Sequence, residues 1–415
     1  MTIVVKPKEA QPIGVPGLPR PQRPAYVIGS DSEAIEVAQA LAKDFAATAS
    51  ERDRNRTKPT TELDAFSQSG LWSINVPKAF GGPEVSYVTL AKVVEIISAA
   101  DPSIGQIPQN HLGVVAAIRT VSEPTQQHYL FGEVLKGVRF GNAFSEFKSK
   151  RAADFETRFV DRGDHVIVTG EKFYSTGALF AHLVPIVALD DQGRAWYAIA
   201  DRNAPGLTVL DDWSAFGQRA TFSGTTLIDK VRVPKTHLVP GYKGYDRPTA
   251  DGAVFQIIQA AVDTGIARNA IEETIALVRG KARAWVDSTA ERASDDPYTI
   301  QAVGDLVLRL HAAQALLEIA GRAVDRAVEN PTQGSVAEAQ VAVAEAKVLS
   351  TEIAITATNK LFELVGARAT LGELNLDRHW RNARTHTLHD PVRWKYAILG
   401  NYHLNGVNPP LHAWS

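Results

Sequence analysis

The spacing of apolar residues changes twice along this chain, and the order of those changes restricts the fold more than any single motif. From Ser30 onward Ile35, Val37, Ala38, Leu41 and Phe45 recur at helical spacing, behind a Ser30-x-x-Glu33 capping box. Gly70-Leu71 and Gly81-Gly82 punctuate further helices, and the stretch from Tyr87 to His111 is again helical in pattern. Between Phe140 and Pro240 the period becomes two. Phe159-Val160 and Val166-Ile167-Val168 flank Asp161-Arg162-Gly163-Asp164, a hairpin pattern. Leu183–Leu189 and Ala195–Ala200 flank Asp190-Asp191-Gln192-Gly193, a second hairpin, and Val231-Arg232-Val233-Pro234 reads as the last strand. Beyond Gly252 the helical spacing returns over Val254–Asp287, Thr299–Glu329 and Val336–Leu364, with Asn330-Pro331 and Gly334 between the last two.

Helices, then strands, then helices predict an α+β chain in four parts: an extended arm at 1–29, an N-terminal α-helical domain at 30–138, a β-domain at 139–245, and a four-helix-bundle-like domain with a tail at 246–415. Antiparallel strands of this number are expected to close into a barrel, which removes exposed edges. The order disfavours a doubly wound dinucleotide fold. Neither a Gly-x-Gly-x-x-Gly after a strand nor a Walker loop is present.

Composition narrows the function classes. A chain of 415 residues suits two or three domains. Net charge is −2 with both signs intermixed, which gives no electrostatic case for nucleic acid or an anionic membrane. The absence of cysteine excludes disulfides, thiolate metal sites and a cysteine nucleophile, and fits a reducing cytoplasm. No apolar run reaches the ~20 residues of a membrane span, and no signal peptide is expected. Pro12 to Pro24 is proline-rich, read either as a disordered leader or as an arm wrapping a neighbouring subunit.

Six local patterns follow one another in order: Leu71-Trp72-Ser73-Ile74-Asn75-Val76-Pro77-Lys78-Ala79-Phe80-Gly81-Gly82, Ala99-Ala100-Asp101-Pro102-Ser103 ahead of His111, Asn142-Ala143-Phe144-Ser145-Glu146, Gly170-Glu171-Lys172-Phe173-Tyr174-Ser175-Thr176-Gly177, Phe216-Gly217-Gln218-Arg219, and Arg381-Asn382-Ala383-Arg384. Together they resemble the acyl-CoA dehydrogenase superfamily over residues 30 to 400. Trp380 to Val392, with Asp296-Pro297-Tyr298-Thr299-Ile300 and Gly366-Ala367-Arg368, is similar to its flavin-dependent monooxygenase branch, that of dibenzothiophene monooxygenase and the sulfur-acquisition oxidoreductases. This resemblance implies an acyl-CoA dehydrogenase-like fold and a homotetramer. It also implies reduced FMN supplied by a separate NAD(P)H-dependent flavin reductase, with O2 activated as a C4a-hydroperoxyflavin that oxygenates a small organosulfur substrate.

Dehydrogenases carry a glutamate, glycine and threonine where this chain has Asp390-Pro391-Val392. Asp390 is one methylene shorter than glutamate, and a misplacement of about 1 Å can cost ~100-fold in rate. The resemblance gives His389, beside it, the task of stabilising the oxygenated flavin. His386-x-x-His389-Asp390 also admits two other readings, a helix-end cluster or a metal site. No metal is expected, since no other cluster has ligand spacing. His111 is expected to act at the flavin, although a lone histidine is more often structural. Thr176 is expected to bond the flavin ring; a turn hydroxyl is the alternative. Asn142 and Ser145 match positions near the ring edge or the substrate cavity. The adenosine-contacting residues of FAD-dependent relatives are missing around Arg279-Gly280-Lys281-Ala282-Arg283 and Gly366-Ala367-Arg368. Arg279, Arg283 and Arg368 suit a terminal phosphate instead, which favours FMN over FAD. The segment Phe144–Arg158, with Lys148, Lys150 and Arg151, is either a substrate entrance or a solvated loop. An FAD-dependent acyl-CoA dehydrogenase with Asp390 as base is the alternative enzyme, and a helical assembly protein without activity is the non-enzymatic one.

Overall fold

A computed structural model describes residues 14–151 and 154–415; the first part of the expected arm, 1–13, and two residues of the segment Phe144–Arg158 lie outside the described residues. The chain divides into two units. One holds residues up to Arg20, Phe140–Ser214 and Phe222–Val239; the other holds Pro21–Arg139, Ala215–Thr221 and Pro240–Ser415.

The first unit is a seven-stranded sheet: β1 (Arg158–Asp161), β2 (His165–Lys172), β3 (Leu183–Leu189), β4 (Ala195–Asp201), β5 (Leu207–Val209), β6 (Thr226–Pro234) and β7 (Leu238–Val239). Their order is β5-β6-β2-β1-β3-β4-β7. Both predicted hairpins form, β1 with β2 and β3 with β4. In the first, Gly163 takes φ +89° while the Asp161 carboxylate accepts its N–H at 2.8 Å. The pair β1–β3 is parallel, so the sheet is mixed. Val231–Pro234 is not the last strand: it is the end of β6, which starts at Thr226, and β7 follows.

The expected barrel does not form. β5 and β7 end the strand order and do not pair with each other. The edges are managed in another way. Gly14 bridges Leu210, and the Val15 N–H donates to the Val209 carbonyl at 2.9 Å, so residues 14–15 cover β5. β7, at the other edge, is only two residues long. Inward side chains of both hairpins and of β6, among them Val166, Val168, Val184, Ile186, Ala198, Val231 and Val233, form the core of this unit.

The second unit is helical: α1 (Asp31–Asn55), α2 (Thr60–Gln68), α3 (Tyr87–Ala100), α4 (Pro102–Gln106), α5 (Gln109–Val121), α6 (Pro124–Leu135), α7 (Asp251–Gly280), α8 (Pro297–Glu329), α9 (Gln333–Val365), α10 (Asp377–His386) and α11 (Arg393–Asn405). α7, α8 and α9 pack on one another, and α3 packs on both α7 and α8, so N- and C-terminal helices share one core. The Ser30 cap forms, its hydroxyl accepting the Glu33 N–H at 3.1 Å. The Glu33 carboxylate reaches the N–H of Gly29 instead of Ser30, at 2.6 Å. α7 stops at Gly280 rather than near Asp287, because Gly280 is a weak helix former and the backbone turns away at Lys281. Arg283 therefore lies past the helix.

Two of the ordered sequence patterns meet in this unit. The Asn382 carboxamide accepts the Gln218 N–H at 2.7 Å, and Arg381 donates to the Phe216 carbonyl at 3.1 Å. A Cβ at Gly217 would lie 1.9 Å from the Arg381 carbonyl oxygen, so glycine is required at this approach.

Candidate active site

Helical periodicity places Gln259 and Asp263 on one face of α7, and Lys347 and Thr351 on one face of α9, each pair one turn apart. The end of α10 brings His386 against them. Asp263 accepts three hydrogen bonds: His386 Nδ1 lies 2.5 Å from Oδ1, while Lys347 Nζ and Thr351 Oγ1 donate to Oδ2 at 2.7 and 3.1 Å. Asp263, Lys347 and His386 are all buried. Burial alone would raise the Asp263 carboxyl, but the Lys347 charge and the His386 contact outweigh it and hold it at about 2. Burial pushes the His386 imidazole down, and the Lys347 charge adds to that. His386 Nε2 is buried without a hydrogen-bond partner.

His389 follows one turn after His386 and is exposed; its Nε2 faces the Gln259 amide at 3.2 Å, and its Nδ1 lies 3.4 Å from Asp390 Oδ1. Asp390 is buried, with Lys395 Nζ 3.8 Å away. Burial would raise this carboxyl too, but the His389 contact and the charges of Lys347 and Lys395 hold it far below the usual carboxylate range. Lys395 also donates to the Trp414 carbonyl, so the C-terminal tail is tied to the same cluster. Sequence reading named His386, His389 and Asp390 and missed Asp263, Lys347, Gln259 and Lys395. For Asp263 a signal existed: it is a lone charge within an apolar helical run, and such charges stay buried only when paired.

His111 lies in the first turn of α5, fully buried. Its Nε2 is 2.7 Å from the Trp72 carbonyl and must donate there, and its ring stands 4.9 Å from the Trp72 ring.

In the sheet unit Thr176 and Asn142 meet at one carbonyl. Tyr174 takes φ +56°, and its carbonyl accepts the Thr176 N–H at 2.8 Å and the Asn142 amide at 3.3 Å. The Thr176 hydroxyl is 2.8 Å from Ser223 Oγ, with both buried. Ser223 is a further residue that sequence reading missed. The Asn142 carbonyl oxygen accepts the Phe144 N–H at 2.9 Å. Ser145 is half-buried and its carbonyl accepts the Phe173 N–H at 3.0 Å. The described part of the segment after it is clamped by Lys172, which donates to the Phe144 carbonyl at 2.9 Å and to Glu146 at 2.6 Å. Burial of Lys172, resisted by Glu146, brings its ammonium down to about 8.

Arg279, Arg283 and Arg368 are exposed. The neighbours Ala282 and Ala369 pack in one apolar cluster with Val278, Leu361 and Val365, which sets Arg283 and Arg368 at the same end of the bundle. Among the described residues, no group of three or more His, Cys, Asp or Glu side chains could hold a metal ion. In the helical unit, exposed guanidinium groups suit a phosphate and the buried His386 Nε2 suits a hydrogen-bond donor; in the sheet unit, the Thr176–Ser223 hydroxyl pair is buried.

Models of the acyl-CoA dehydrogenase N-terminal and C-terminal domains match residues 33–137 and 257–394. Dibenzothiophene monooxygenase of Rhodococcus erythropolis is 32% identical over 397 residues, which span 92% of this chain and 95% of the relative. A probable FMNH2-dependent monooxygenase of Pseudomonas putida is 32% identical over 384 residues, 91% of this chain and 96% of that one. The crystal structure of FMN-bound TdsC from Paenibacillus sp. A11-2 is similar with a TM-score of 0.88 and 30% identity, covering 92% of this chain and 100% of its own. Methanesulfinate monooxygenase MsuC from Pseudomonas fluorescens gives 0.85 and 30%, over 92% and 99%. The chain belongs to the acyl-CoA dehydrogenase family, in the branch that contains the flavin-dependent dibenzothiophene monooxygenases.

Proposed function

We propose that the chain is the oxygenase component of a two-component FMNH2-dependent monooxygenase, fed by a separate NAD(P)H-dependent flavin reductase and acting on a small organosulfur compound. The observation that carries this reading is the state of Asp390. A general base near neutral pH needs a pKa close to the working pH. Asp390 is buried beside two cations and a histidine and held well below that range, so it is a poor base for α-proton abstraction. This weighs against the acyl-CoA dehydrogenase alternative.

Reduced FMN, when bound, supplies two electrons to molecular oxygen, one atom of which goes to the substrate sulfur and the other to water. The chain's own residues have four tasks on this reading. Arg279, Arg283 and Arg368 hold the phosphate, which their exposure supports. Thr176, with Asn142 and Ser145, orients the flavin ring and the substrate edge. His111, whose Nε2 donates to Trp72, and His389, beside Gln259, hold or move a proton at the flavin. His386 would present its buried Nε2 to the flavin. FAD has an adenosine half for which these segments carry no family contact residues.

A homotetramer built on the C-terminal bundle belongs to this reading, supported by exposed apolar side chains on α8 (Leu308, Ile319) and α11 (Trp394, Leu404). The cytoplasm is its proposed compartment, on the cysteine-free composition. No helix among the described residues is long and apolar enough to cross a membrane. The test is to mix the protein with chemically reduced FMN, 18O2 and either dibenzothiophene or methanesulfinate. One 18O atom in the sulfur product is the expected result. Reduction of protein-bound FAD by an acyl-CoA, without label in any sulfur product, would overturn it.

A further inference from the structure

The buried ion pair on α7 and α9 has a consequence for the histidine it touches. We propose that Asp263 and Lys347 are positioning residues of the flavin reaction: they fix His386 as its Nδ1–H tautomer and so present Nε2 as a buried hydrogen-bond acceptor.

Asp263 as a carboxylate has no proton to donate, so the 2.5 Å contact requires the hydrogen on His386 Nδ1. A neutral imidazole then has a bare Nε2. Burial disfavours a charged ring, and Lys347 helps to keep it neutral. Its ammonium, 2.7 Å from the other carboxylate oxygen, balances the Asp263 charge and leaves no net charge to draw a second proton to the ring. Asp263 alone would stabilise an imidazolium, whose Nε2–H is a donor. Asp263 thus sets the tautomer and Lys347 sets the protonation state. The other charged or titratable groups that face this cluster are His389 and Asp390 after α10 and Lys395 on α11. His386 Nε2 is buried and lacks a partner among the described residues. The group it suits is therefore an N–H or O–H donor on a bound molecule, and the flavin ring carries such N–H groups. This inference rests on the flavin oxygenase reading for its purpose, but the tautomer itself does not depend on that reading.

Solid-state 15N NMR of histidine-labelled protein without flavin, at pH 8, reads the tautomer directly. His386→Gln identifies the His386 signals by their loss. The expected spectrum has a protonated Nδ1 and an unprotonated Nε2. An Nε2–H tautomer or an imidazolium at pH 8 overturns the proposal, and this measurement needs no folded variant of the ion pair. In Asp263→Asn, Lys347 and Thr351 claim the amide oxygen, so the amide N–H turns to His386 and Nδ1 must accept. The tautomer should reverse, and kcat should fall by a hundredfold or more, on the order seen when a histidine is held in the wrong tautomer, with a smaller change in KM for reduced FMN. In Lys347→Met the ring should be an imidazolium at a pH where it is neutral in the parent. A reversed tautomer with unchanged kcat refutes the positioning role and leaves the oxygenase reading intact. A parent enzyme with the expected tautomer but no 18O transfer refutes the oxygenase reading instead, and with it the purpose assigned to the pair.

Discussion

Lys347→Met leaves a carboxylate at the centre of the bundle without its cation. The parent residues are both fully buried, and Asp263 takes a charged hydrogen bond from Lys347 at 2.7 Å. Removing one partner of such a pair costs about 3–5 kcal/mol, because the remaining charge stays desolvated. The methionine fills most of the lysine volume, so little of that loss comes from a cavity. The sign of its pH dependence follows from proton uptake. In the parent, Asp263 is held at about 2, below its unfolded value, so its stabilising contribution is present above about pH 4 and is lost only as pH falls towards 2. In the variant, His386 gains a proton in the folded state to cancel the buried charge. Folded-state proton binding then exceeds that of the unfolded chain. The loss should shrink as pH falls, by roughly 1.4 kcal/mol per unit below the pKa of the group that accepts the proton. Urea unfolding of both proteins at pH 8 and pH 6 measures this. A loss below 1 kcal/mol at pH 8, or one that grows towards pH 6, would refute the reasoning.

Arg283→Ala and Arg368→Ala should each weaken FMN binding about tenfold or more without changing riboflavin binding or the melting temperature, since both side chains are exposed; fluorescence titration at two salt concentrations checks this. Thr176→Val removes one partner of the buried hydroxyl pair with Ser223 and should cost about 1 kcal/mol of stability together with a several-fold weaker affinity for FMN, read by unfolding and titration. Arg52→Met strands Asp101, the buried cap of α4 that Arg52 meets at 2.8 Å, and should cost about 3–5 kcal/mol by urea unfolding. Asp251 is raised by burial to about 7, so its protonated form supports the fold below about pH 4 and that support is lost as pH rises through 7. Asp251→Asn should therefore be more stable than the parent at pH 8 and nearly equal to it near pH 4, and thermal melts across that range give the answer.

Much of the secondary structure was legible because it is local. The turns at Asp161–Asp164 and Asp190–Gly193 carry their own hydrogen-bonding residues, and both hairpins formed as read. Ser30 caps α1 through the Glu33 N–H, a signal contained within a few residues. Sheet closure was not legible in the same way. Whether β5 meets β7 depends on the edges, and residues 14–15, far away in sequence, cover one of them. The end of α7 was overestimated because helical spacing continues past Gly280, while the backbone does not.

The sequence by itself determined the order of helices and strands and the family, and it offered His111, Thr176, His386, His389 and Asp390 as candidates, because periodicity and motif spacing are properties of the linear chain. The tertiary structure alone decided what those side chains can do. Asp263 and Lys347 stand 84 positions apart in sequence and meet His386 only when α7, α9 and α10 pack. Burial removes the water that would otherwise screen them, so a contact between distant helices sets the proton on one histidine and keeps Asp390 ionised.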